Sequence, residues 1–367
     1  MVGTPSPHVY ARELESRGGS PDLLREIRQV DNSCRESNVK PIYTLTHLCI
    51  IAKVPLRVAQ EIIVHNSRHY KTRTLTKRSG RGKRTIHEPS APLRALQQVI
   101  LRNCLPPKRS SQISFAYEPG LGTLDAASAH IGARSMIHLD VQNYFGSFNS
   151  KQVYRLFQEL GYPELLALEM ALIVSVGHEV NMSDTPKGFP YMVRSTGYLP
   201  QGAATSGKIA NILSAPVDRK LSELAIHRGG TVTRYADDIN FSTPKPLQRE
   251  SQIAIFHSAT NILRSQGLVL NSRKTVLVPK GQNFKMLGLS VGRSNVELNK
   301  RYKDMIRGHL YGIKKFGLAS HAIYSNFKDE LVFIDFIWGH FAYCYHVDRI
   351  FANEIRKTLE KNGVFRI

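Results

Sequence analysis

The segment 231–242 constrains the fold of this chain more than any other, because two adjacent aspartates lie at its centre. Its alternating polar and apolar residues predict two strands joined by a tight turn at Asp237 and Asp238. A second segment, 136–140, is hydrophobic and predicts a buried strand that ends at Asp140. If these strands are neighbours in one sheet, three carboxylates meet at its edge.

Two adjacent carboxylates at a tight turn repel each other, which raises their pKa values unless a cation lies close to both. Mg²⁺ prefers oxygen ligands and takes one or two carboxylates together with phosphates. Three carboxylates at one sheet edge could hold two such ions, with Mn²⁺ as an alternative, and so activate a 3′-hydroxyl and stabilise a pyrophosphate leaving group. Aspartate is also common in ordinary turns, so the pair alone does not establish catalysis.

The charge of the chain favours a polyanionic partner. Lysine and arginine number 50 against 29 aspartates and glutamates, which gives a formal net charge of +21. The excess is spread along the whole sequence, a distribution that suits a nucleic acid lying across a surface. A basic soluble protein without such a partner has the same composition, so charge alone leaves that alternative open.

The cysteines and the hydrophobic runs point to the cytoplasm. The four cysteines, Cys34, Cys49, Cys104 and Cys344, form no C-x-x-C pair, so neither a zinc site nor a thiol redox motif is expected. The first residues lack the apolar core of a signal peptide, and no apolar run reaches the ~18 residues of a membrane span. We therefore expect a cytoplasmic protein that has no membrane partner.

The remaining periodicities predict helices on either side of a mixed sheet. Helical spacing is found over 22–65, 92–104, 151–176 and 203–225, and again from 298 onward. A kink or break is expected at Pro216, because proline lacks the backbone N–H that a helix needs. Strands are expected over 70–86, as a hairpin around a basic glycine-rich turn, and over 271–292. This order of elements indicates an α+β fold.

Six short motifs resemble those of reverse transcriptases and occur in the order that this family has. In chain order they are KRTIHEP at 83–89, LDVQNYFGSF at 139–148, LPQGAATS at 199–206, RYADDI at 234–239, NSRKT at 271–275 and KMLGL at 285–289. One such motif would be weak, whereas six in order are specific. The resemblance implies an α+β right-hand polymerase with fingers, a palm of mixed and antiparallel sheet, and a helical thumb.

The same resemblance implies boundaries and a catalytic centre. We expect an N-terminal helical region over 1–68, fingers over 69–135, a palm with interleaved fingers helices over 136–292, and a thumb over 293–367. Asp140, Asp237 and Asp238 would be the catalytic residues of an RNA-directed DNA polymerase. Together with Val141 they would hold two Mg²⁺ ions.

By resemblance, seven residues bind the incoming deoxynucleoside triphosphate: Lys77, Arg84, Tyr144, Phe145, Gln201, Gly202 and Lys274. Phe145 would pack under the sugar and exclude a 2′-hydroxyl, while Arg84 and Lys77 would neutralise the triphosphate. Gly202 would permit close backbone approach, and Gln201 would hydrogen-bond to the substrate. Lys274 would contact a phosphate or protonate pyrophosphate. A core phenylalanine, a solvated basic hairpin and a surface lysine remain the alternatives.

The segment that would form the thumb begins with basic residues that would follow nucleic-acid phosphates: Lys300, Arg301, Lys303, Arg307, Lys314 and Lys315. A solvated helix face explains any one of them equally well. The short remainder of the chain has no room for a nuclease domain, so host RNase H is expected to remove the template RNA.

Within the family, segment 120–130 resembles retron reverse transcriptases at Ala127 and His130, although Ala126 stands where retrons carry asparagine. Another retron mark, V-T-G, is matched only by Gly288. His130 could equally be a hydrogen-bonded core histidine. A retron enzyme would copy its own structured non-coding RNA, which serves as template and primer, into a short RNA-linked DNA. It would act in antiphage defence with a separately encoded effector protein.

These departures keep two other interpretations open. One is a different defence-associated bacterial reverse transcriptase that makes free or untemplated DNA. The other is a non-catalytic scaffold that binds RNA and has kept the fold. Intact Asp140, Asp237 and Asp238 argue against the scaffold, because an acidic cluster without a cation costs stability and has no use there.

Overall fold

The computed structural model describes residues 16, 18, 20–76, 83–182, 190–278 and 284–365. The chain forms two compact units, each assembled from three segments. Unit 1 comprises 1–119, 141–220 and 260–270, and unit 2 comprises 120–140, 221–259 and 271–367. The residues expected at the catalytic centre therefore fall into two groups, one in each unit.

Helices and short antiparallel strands alternate along the chain. Its first half contains α1 (Pro21–Glu36), α2 (Leu45–Ala52), α3 (Leu56–Val64), β1 (Tyr70–Thr76), β2 (Lys83–Pro89), α4 (Ala91–Val99), α5 (Thr123–Ser128), β3 (Ser135–Asp140), α6 (Ser150–Glu159), α7 (Glu164–Val174), β4 (Glu179–Met182) and β5 (Tyr191–Ser195). Its second half contains α8 (Ser206–His227), β6 (Thr231–Tyr235), β7 (Asp238–Thr243), α9 (Arg249–Arg264), β8 (Val276–Val278), β9 (Phe284–Met286), β10 (Leu289–Val291), β11 (Val296–Leu298), α10 (Lys300–Phe316), α11 (Leu318–Tyr324), α12 (Glu330–Val347) and α13 (Arg349–Lys361). The predicted α+β class is confirmed.

In unit 1 the N-terminal helices and the first hairpin form as the sequence predicts. Ser20 and Thr44 cap α1 and α2, because each side-chain oxygen accepts a backbone N–H of the first turn. Strands β1 and β2 pair antiparallel from Tyr70 opposite Pro89 onward. The turn between them, with Lys77, lies outside the described residues.

Helix α7 is the core helix of unit 1. Its residues are apolar on almost every side, and eight of its eleven are buried, so it packs against neighbours all around. Among them is Glu169, whose carboxylate accepts a 3.0 Å hydrogen bond from the Tyr191 hydroxyl of β5. Burial raises the pKa of Glu169 to about 7. This polar contact ties the β4–β5 hairpin to the core.

Unit 2 is built on a four-stranded antiparallel sheet in the order β6-β7-β3-β8. Its two central strands, β7 and β3, are almost entirely buried, as expected for strands covered on both faces. Behind the sheet, His130 is buried and its two ring nitrogens lie 2.6 Å from the Ser242 hydroxyl and 2.7 Å from the Thr233 hydroxyl. His130 is therefore a satisfied core histidine.

The C-terminal part of unit 2 is helical, as predicted. Ile306, Leu310 and Ile313 form one buried stripe along α10, in agreement with their spacing. Before it, β9, β10 and β11 form a small antiparallel sheet. None of the helices within the described ranges is long and apolar enough to cross a membrane.

Of the kink or break predicted at Pro216, the break is wrong, because α8 is continuous through this residue, and the kink stays a prediction. The residues that follow on the same helix, Val217, Leu221 and Ala225, are buried. Their burial offsets the one backbone hydrogen bond that proline cannot make, which costs about 3 kcal/mol in an isolated helix. The predicted fingers, palm and thumb boundaries stay predictions.

Candidate active site

The three predicted carboxylates lie at one edge of the unit 2 sheet, which we call the carboxylate edge (Asp140, Asp237 and Asp238). Strand β3 ends at Asp140, and its register partner on β7 is Asp238. Directly opposite residues of an antiparallel pair place their Cβ atoms about 5 Å apart. The expectation that the two strands are neighbours and bring their carboxylates together is therefore confirmed.

The turn at this edge is one residue earlier than the sequence suggested. Tyr235 and Asp238 are paired, so the two-residue loop is Ala236 and Asp237, and Asp238 is already the first residue of β7. Ala236 adopts a φ of 57°, a left-handed conformation that is uncommon for a residue with a Cβ. Two-residue hairpin loops need such angles because their twist matches that of the strands.

Asp140 is paired with a lysine. Its side chain is 4% exposed, and its Oδ2 atom lies 2.5 Å from Nζ of Lys274, whose side chain is 42% exposed. The backbone holds this lysine in place: the N–H of Asn271 donates to the Asp140 carbonyl at 2.8 Å, and the Lys274 N–H donates to the Asn271 carbonyl at 3.1 Å. The N-x-x-K-T motif thus brings its lysine to Asp140, the first of the predicted catalytic carboxylates.

The pKa of Asp238 is raised, which means that its negative charge destabilises the folded chain. Burial is the largest cause that raises its pKa to about 6, and the neighbouring charges of Asp237 and Asp140 raise it further, while His138 and Lys274 lower it. The sequence predicted this direction from charge repulsion alone. Burial matters more because β7 is covered on both faces, which a local motif does not reveal.

Two residues at this edge were missed by the sequence interpretation. His138 and Asn240 are register partners two pairs behind Asp140 and Asp238, and the His138 Nδ1 atom lies 3.0 Å from the Asn240 Oδ1 atom. The other ring nitrogen of His138 lies 3.6 Å from Asp238 Oδ1. The sequence contained a signal for His138, because it lies two residues before Asp140 and residues two apart on a strand share a face.

The donors of the carboxylate edge fit Mg²⁺ in kind, since all are carboxylate oxygens and their mutual repulsion favours a bound cation. Within the described ranges, no set of three or more His, Cys, Asp and Glu side chains has the arrangement of a metal site. Asp140 is instead held by Lys274. Val141, which resemblance adds to the metal site, belongs to unit 1 and is buried in a bridge with Leu270.

Unit 1 contains the two predicted nucleotide residues that follow Asp140 most closely, Tyr144 and Phe145. Tyr144 is buried, and its hydroxyl lies 2.9 Å from the Ser214 hydroxyl of α8. The half-buried Phe145 ring stands edge-on to Tyr144, with centroids 5.5 Å apart. Phe145 is thus neither a fully buried core residue nor a free surface ring, which suits a side chain that forms one wall of a pocket.

Gln201 and Gly202 pack against strand β2. The Gln201 carbonyl accepts the His87 N–H at 2.8 Å. Gly202 has a φ of 121°, and a Cβ there would lie 2.6 Å from the His87 carbonyl oxygen. The glycine is thus required by the neighbouring strand, a reason the sequence did not suggest. Arg84 on β2 is exposed, and whether it and Gln201 contact a triphosphate stays a prediction.

The predicted phosphate-tracking residues of α10 divide into two groups. Lys300, Arg301, Arg307, Lys314 and Lys315 are exposed on one side of the helix. Lys303 is different, since its ammonium lies 2.7 Å from Asp348 Oδ2 and 3.6 Å from Glu297 Oε2. Lys303 therefore joins α10 to α13, and so does Arg307, whose guanidinium lies 3.5 Å from the Glu354 carboxylate. The other four exposed cations form the basic face of the helix: Lys300, Arg301, Lys314 and Lys315.

Comparison with known proteins agrees with these features. The family described as reverse transcriptase (RNA-dependent DNA polymerase) matches residues 75–291. The retron Ec86 reverse transcriptase of Escherichia coli is 30% identical over 63% of this chain and 65% of its own length. The retron Mx162 reverse transcriptase of Myxococcus xanthus is 30% identical over 62% of this chain and 48% of its own length. The retron Ec83 reverse transcriptase of Escherichia coli is 24% identical over 81% and 88%, respectively.

The matched region thus spans about half to two thirds of the length of the first two relatives. All six sequence motifs lie inside the residues that the family matches. Because that match covers more than half of the chain, the chain belongs to the reverse transcriptase family, and its retron relatives confirm the predicted retron type.

Proposed function

We propose that the protein is an RNA-directed DNA polymerase that extends a primer with deoxynucleoside triphosphates. The observation that carries this proposal is the pairing of Asp140 with Asp238 across adjacent strands, with Lys274 bound to Asp140. Opposed carboxylates in a buried sheet destabilise the fold unless a cation balances them. A polymerase needs that arrangement, and a scaffold does not.

The carboxylates would hold two divalent ions, Mg²⁺ or Mn²⁺, with the Val141 carbonyl as a further ligand. Such ions, when bound, activate the primer 3′-hydroxyl and stabilise the charge of the leaving pyrophosphate. Asp140 and Asp238 supply the oxygens from strands held rigidly by their register. Lys274 would exchange its contact with Asp140 for a substrate phosphate, a change that its exposure permits.

The unit 1 residues would select the nucleotide. Phe145, fixed beside Tyr144, would lie under the sugar and leave no space or hydrogen-bond acceptor for a 2′-hydroxyl. Gln201 and the backbone at Gly202 would line the nucleotide, and Arg84 would contact the triphosphate together with Lys77. These roles rest on the family motifs and on the exposure of Arg84.

The template would be a structured non-coding RNA, in keeping with the retron relatives. The basic face of α10 would follow its phosphates, and Lys315 lies close to the exposed Tyr311 and Phe316 rings, on which bases could stack. The product would be a short DNA joined to that RNA. Host RNase H and a separately encoded effector protein would complete an antiphage system in the cytoplasm.

A primer-extension assay tests the polymerase proposal. Purified protein with an RNA template, a primer, deoxynucleotides and Mg²⁺ should yield DNA, whereas the doubly substituted Asp237→Asn, Asp238→Asn protein should not. The matched control is Asp304→Asn, an exposed aspartate of α10, which should retain synthesis. Equal synthesis by the double variant and the wild type would show that the carboxylate edge is not catalytic.

A second candidate is a defence-associated reverse transcriptase that makes free or untemplated DNA. It is favoured by Ala126, which is fully buried in α5 where retrons carry asparagine, and by Met286 and Leu287, which do not match the V-T-G mark. Sequencing the nucleic acid that copurifies separates the two. A branched RNA–DNA molecule supports the retron proposal, and free or repetitive DNA supports the second candidate.

A further inference from the structure

Tyr117 in unit 1 has a backbone conformation that a tyrosine adopts only under constraint. Its φ is 58°, in the left-handed region where a Cβ is disfavoured, and its side chain is 55% exposed. Strained residues of this kind persist only where surrounding contacts determine them, and they cluster at functional sites. Tyr117 is therefore a candidate functional residue, and the contacts of its loop and of its ring indicate its role.

The residues on either side of Tyr117 are fastened to α8. Asn211 donates from its side-chain amide to the Ala116 carbonyl at 2.7 Å and to Glu118 Oε1 at 3.0 Å. The Glu118 side chain is fully buried, and its Oε2 atom lies 3.1 Å from Nζ of Lys208, whose side chain is 8% exposed. The loop is thus anchored before and after Tyr117, and its ring is directed outward between the two anchors.

The same lysine fixes the start of the loop. Lys208 Nζ donates to the Lys108 carbonyl at 2.6 Å and to the Ser110 hydroxyl at 3.1 Å, which completes its three donors with the Glu118 contact. A buried ammonium with all donors used is rigid, because any movement leaves a charge without a partner. The loop segment that carries Tyr117 is therefore held rigidly as well.

The outward ring lies against the start of α8 and against Phe145. A Cβ on Gly207 would lie 2.4 Å from the Tyr117 ring, so the glycine makes room for it. The Tyr117 ring also meets Phe145 edge-on, with centroids 5.9 Å apart. Tyr144, held to α8 by Ser214, is a second ring edge-on to Phe145, with centroids 5.5 Å apart. We call these three rings and their anchors Glu118, Lys208 and Asn211 the aromatic clamp.

We infer that Tyr117 is a positioning residue that fixes the Phe145 ring and so sets how strictly the enzyme rejects ribonucleotides. This inference rests on the proposed function, in which Phe145 excludes the 2′-hydroxyl. A ring can exclude a single oxygen atom only if it cannot tilt away, since a hydroxyl is about the size of a methylene group, for which pockets discriminate about 10- to 200-fold. Tyr144 and Tyr117 both contact the Phe145 ring, and each limits how far it can tilt.

Primer extension with each nucleotide type tests this inference through the ratio of kcat/KM for a deoxynucleotide to that for the matching ribonucleotide. Tyr117→Ala should lower the ratio by about tenfold, the low end of such discrimination, mainly by lowering KM for the ribonucleotide. Tyr117→Phe keeps the ring and should keep the ratio. Loss of a merely structural tyrosine would reduce both kcat/KM values together and leave the ratio unchanged.

A double-mutant cycle with Gly207→Ala supplies an independent arm. The added methyl group displaces the Tyr117 ring while Phe145 and the carboxylate edge keep their side chains, so the ratio should again fall. In the Tyr117→Ala background there is no ring to displace, and Gly207→Ala should have no further effect on the ratio. Melting curves of all variants identify any that do not fold, and if Tyr117→Ala is one of them, Gly207→Ala carries the comparison with the wild type and Tyr117→Phe is its control.

The outcomes separate the two proposals. Wild-type protein that makes no DNA with Mg²⁺ overturns the proposed function, and the role of Tyr117 falls with it. Wild-type synthesis with an unchanged ratio in Tyr117→Ala overturns the role of Tyr117 alone. A ratio that falls in Tyr117→Ala and in Gly207→Ala, but not additively, supports the inference.

Discussion

At the carboxylate edge of unit 2, Asp140 is paired with a lysine whose side chain is 42% exposed, whereas in the aromatic clamp of unit 1 Glu118 is paired with a lysine whose side chain is 8% exposed. The two ion pairs have the same chemistry and different surroundings. Water and ligands can reach Lys274, while Lys208 has all its donors taken by protein atoms.

The difference shows how one chain uses charge for two purposes. In the Asp140–Lys274 pair only the carboxylate is buried, so the lysine can turn to solvent or to a phosphate once a cation takes its place beside Asp140. A buried pair cannot be opened without leaving a charge in an apolar surrounding, which costs several kcal/mol, so it fixes geometry. The carboxylate edge is thus suited to binding, and the aromatic clamp is suited to positioning.

The largest expected effect comes from a substitution at the carboxylate edge. Asp238→Asn should reduce primer extension by about a thousandfold or more, because a metal ligand acts together with the rest of its site. At pH 7 the same substitution should raise the free energy of unfolding by about 1 kcal/mol, since the raised pKa of Asp238 shows that its charge destabilises the fold, with a discount for its partial exposure.

Primer extension and urea unfolding on the same preparation check this pair of opposite changes. A variant that loses both activity and stability would mean that Asp238 is mainly structural. Lys274→Met serves as the control, because it removes the countercharge and should lower stability where Asp238→Asn raises it.

The second prediction breaks the buried pair of the aromatic clamp. Lys208→Met should lower the free energy of unfolding by about 3 kcal/mol or more, because it leaves Glu118 buried without its cation. The matched control is Arg356→Met in the exposed Arg356–Glu360 pair, which should cost about 0.5 kcal/mol or less. Urea unfolding measures both. Equal losses in the two variants would contradict the contrast between buried and exposed pairs.

The sequence predicted the carboxylate edge because its signals are local. Alternation around Asp237 and Asp238 and the hydrophobic run before Asp140 each lie within about ten residues, where periodicity is informative. The aromatic clamp has no such signal. Glu118 and Lys208 are 90 residues apart, and either one alone resembles a surface charge. Only the packing of the loop on α8 makes them a buried pair.

Two glycines of unit 1 also show what a local motif cannot reveal. Gly202 was predicted to admit a substrate, but the structure shows that the His87 carbonyl of β2 already requires it. Gly207 attracted no attention in the sequence, although the Tyr117 ring fills the space of its missing Cβ. A motif shows that a glycine is needed, whereas the atom that needs it comes from a distant part of the chain.

The third prediction concerns His130, a residue of unit 2 that is as buried as the Glu118–Lys208 pair of the aromatic clamp. Burial lowers the pKa of His130 from 6.5 to about 4, and its partners Ser242 and Thr233 are neutral. The unfolded chain therefore binds a proton that the folded chain does not between these pH values. His130 costs no stability above pH 6.5, and about 3 kcal/mol is lost as the pH falls to 4.

Urea unfolding between pH 7.5 and 4.5 measures this loss by comparing the wild type with His130→Gln, which cannot titrate in that range. The two curves should be parallel above pH 6.5 and converge as the pH falls, because only the wild type loses the His130 contribution. Other histidines with lowered pKa values, such as His178 and His309, act on both proteins equally. Curves that stay parallel throughout would mean that His130 is not buried in its neutral form.

The smallest expected effect sharpens what the carboxylate edge needs from its neighbours. His138 is held by Asn240 and lies 3.6 Å from Asp238, so we expect it to orient that carboxylate without being one of the predicted metal ligands. Loss of such an orienting contact typically weakens metal binding about 10- to 100-fold. His138→Leu should therefore raise the Mg²⁺ concentration for half-maximal primer extension by about tenfold, while the rate at saturating Mg²⁺ changes little.

The control is His227→Leu, a substitution of an exposed histidine at the end of α8, which should leave the Mg²⁺ dependence of primer extension unchanged. If the His138→Leu curve coincides with that of the wild type, the β3–β7 register alone orients Asp238. The carboxylate edge would then depend on the pairing of its strands, as the aromatic clamp depends on the buried pair of Glu118 and Lys208.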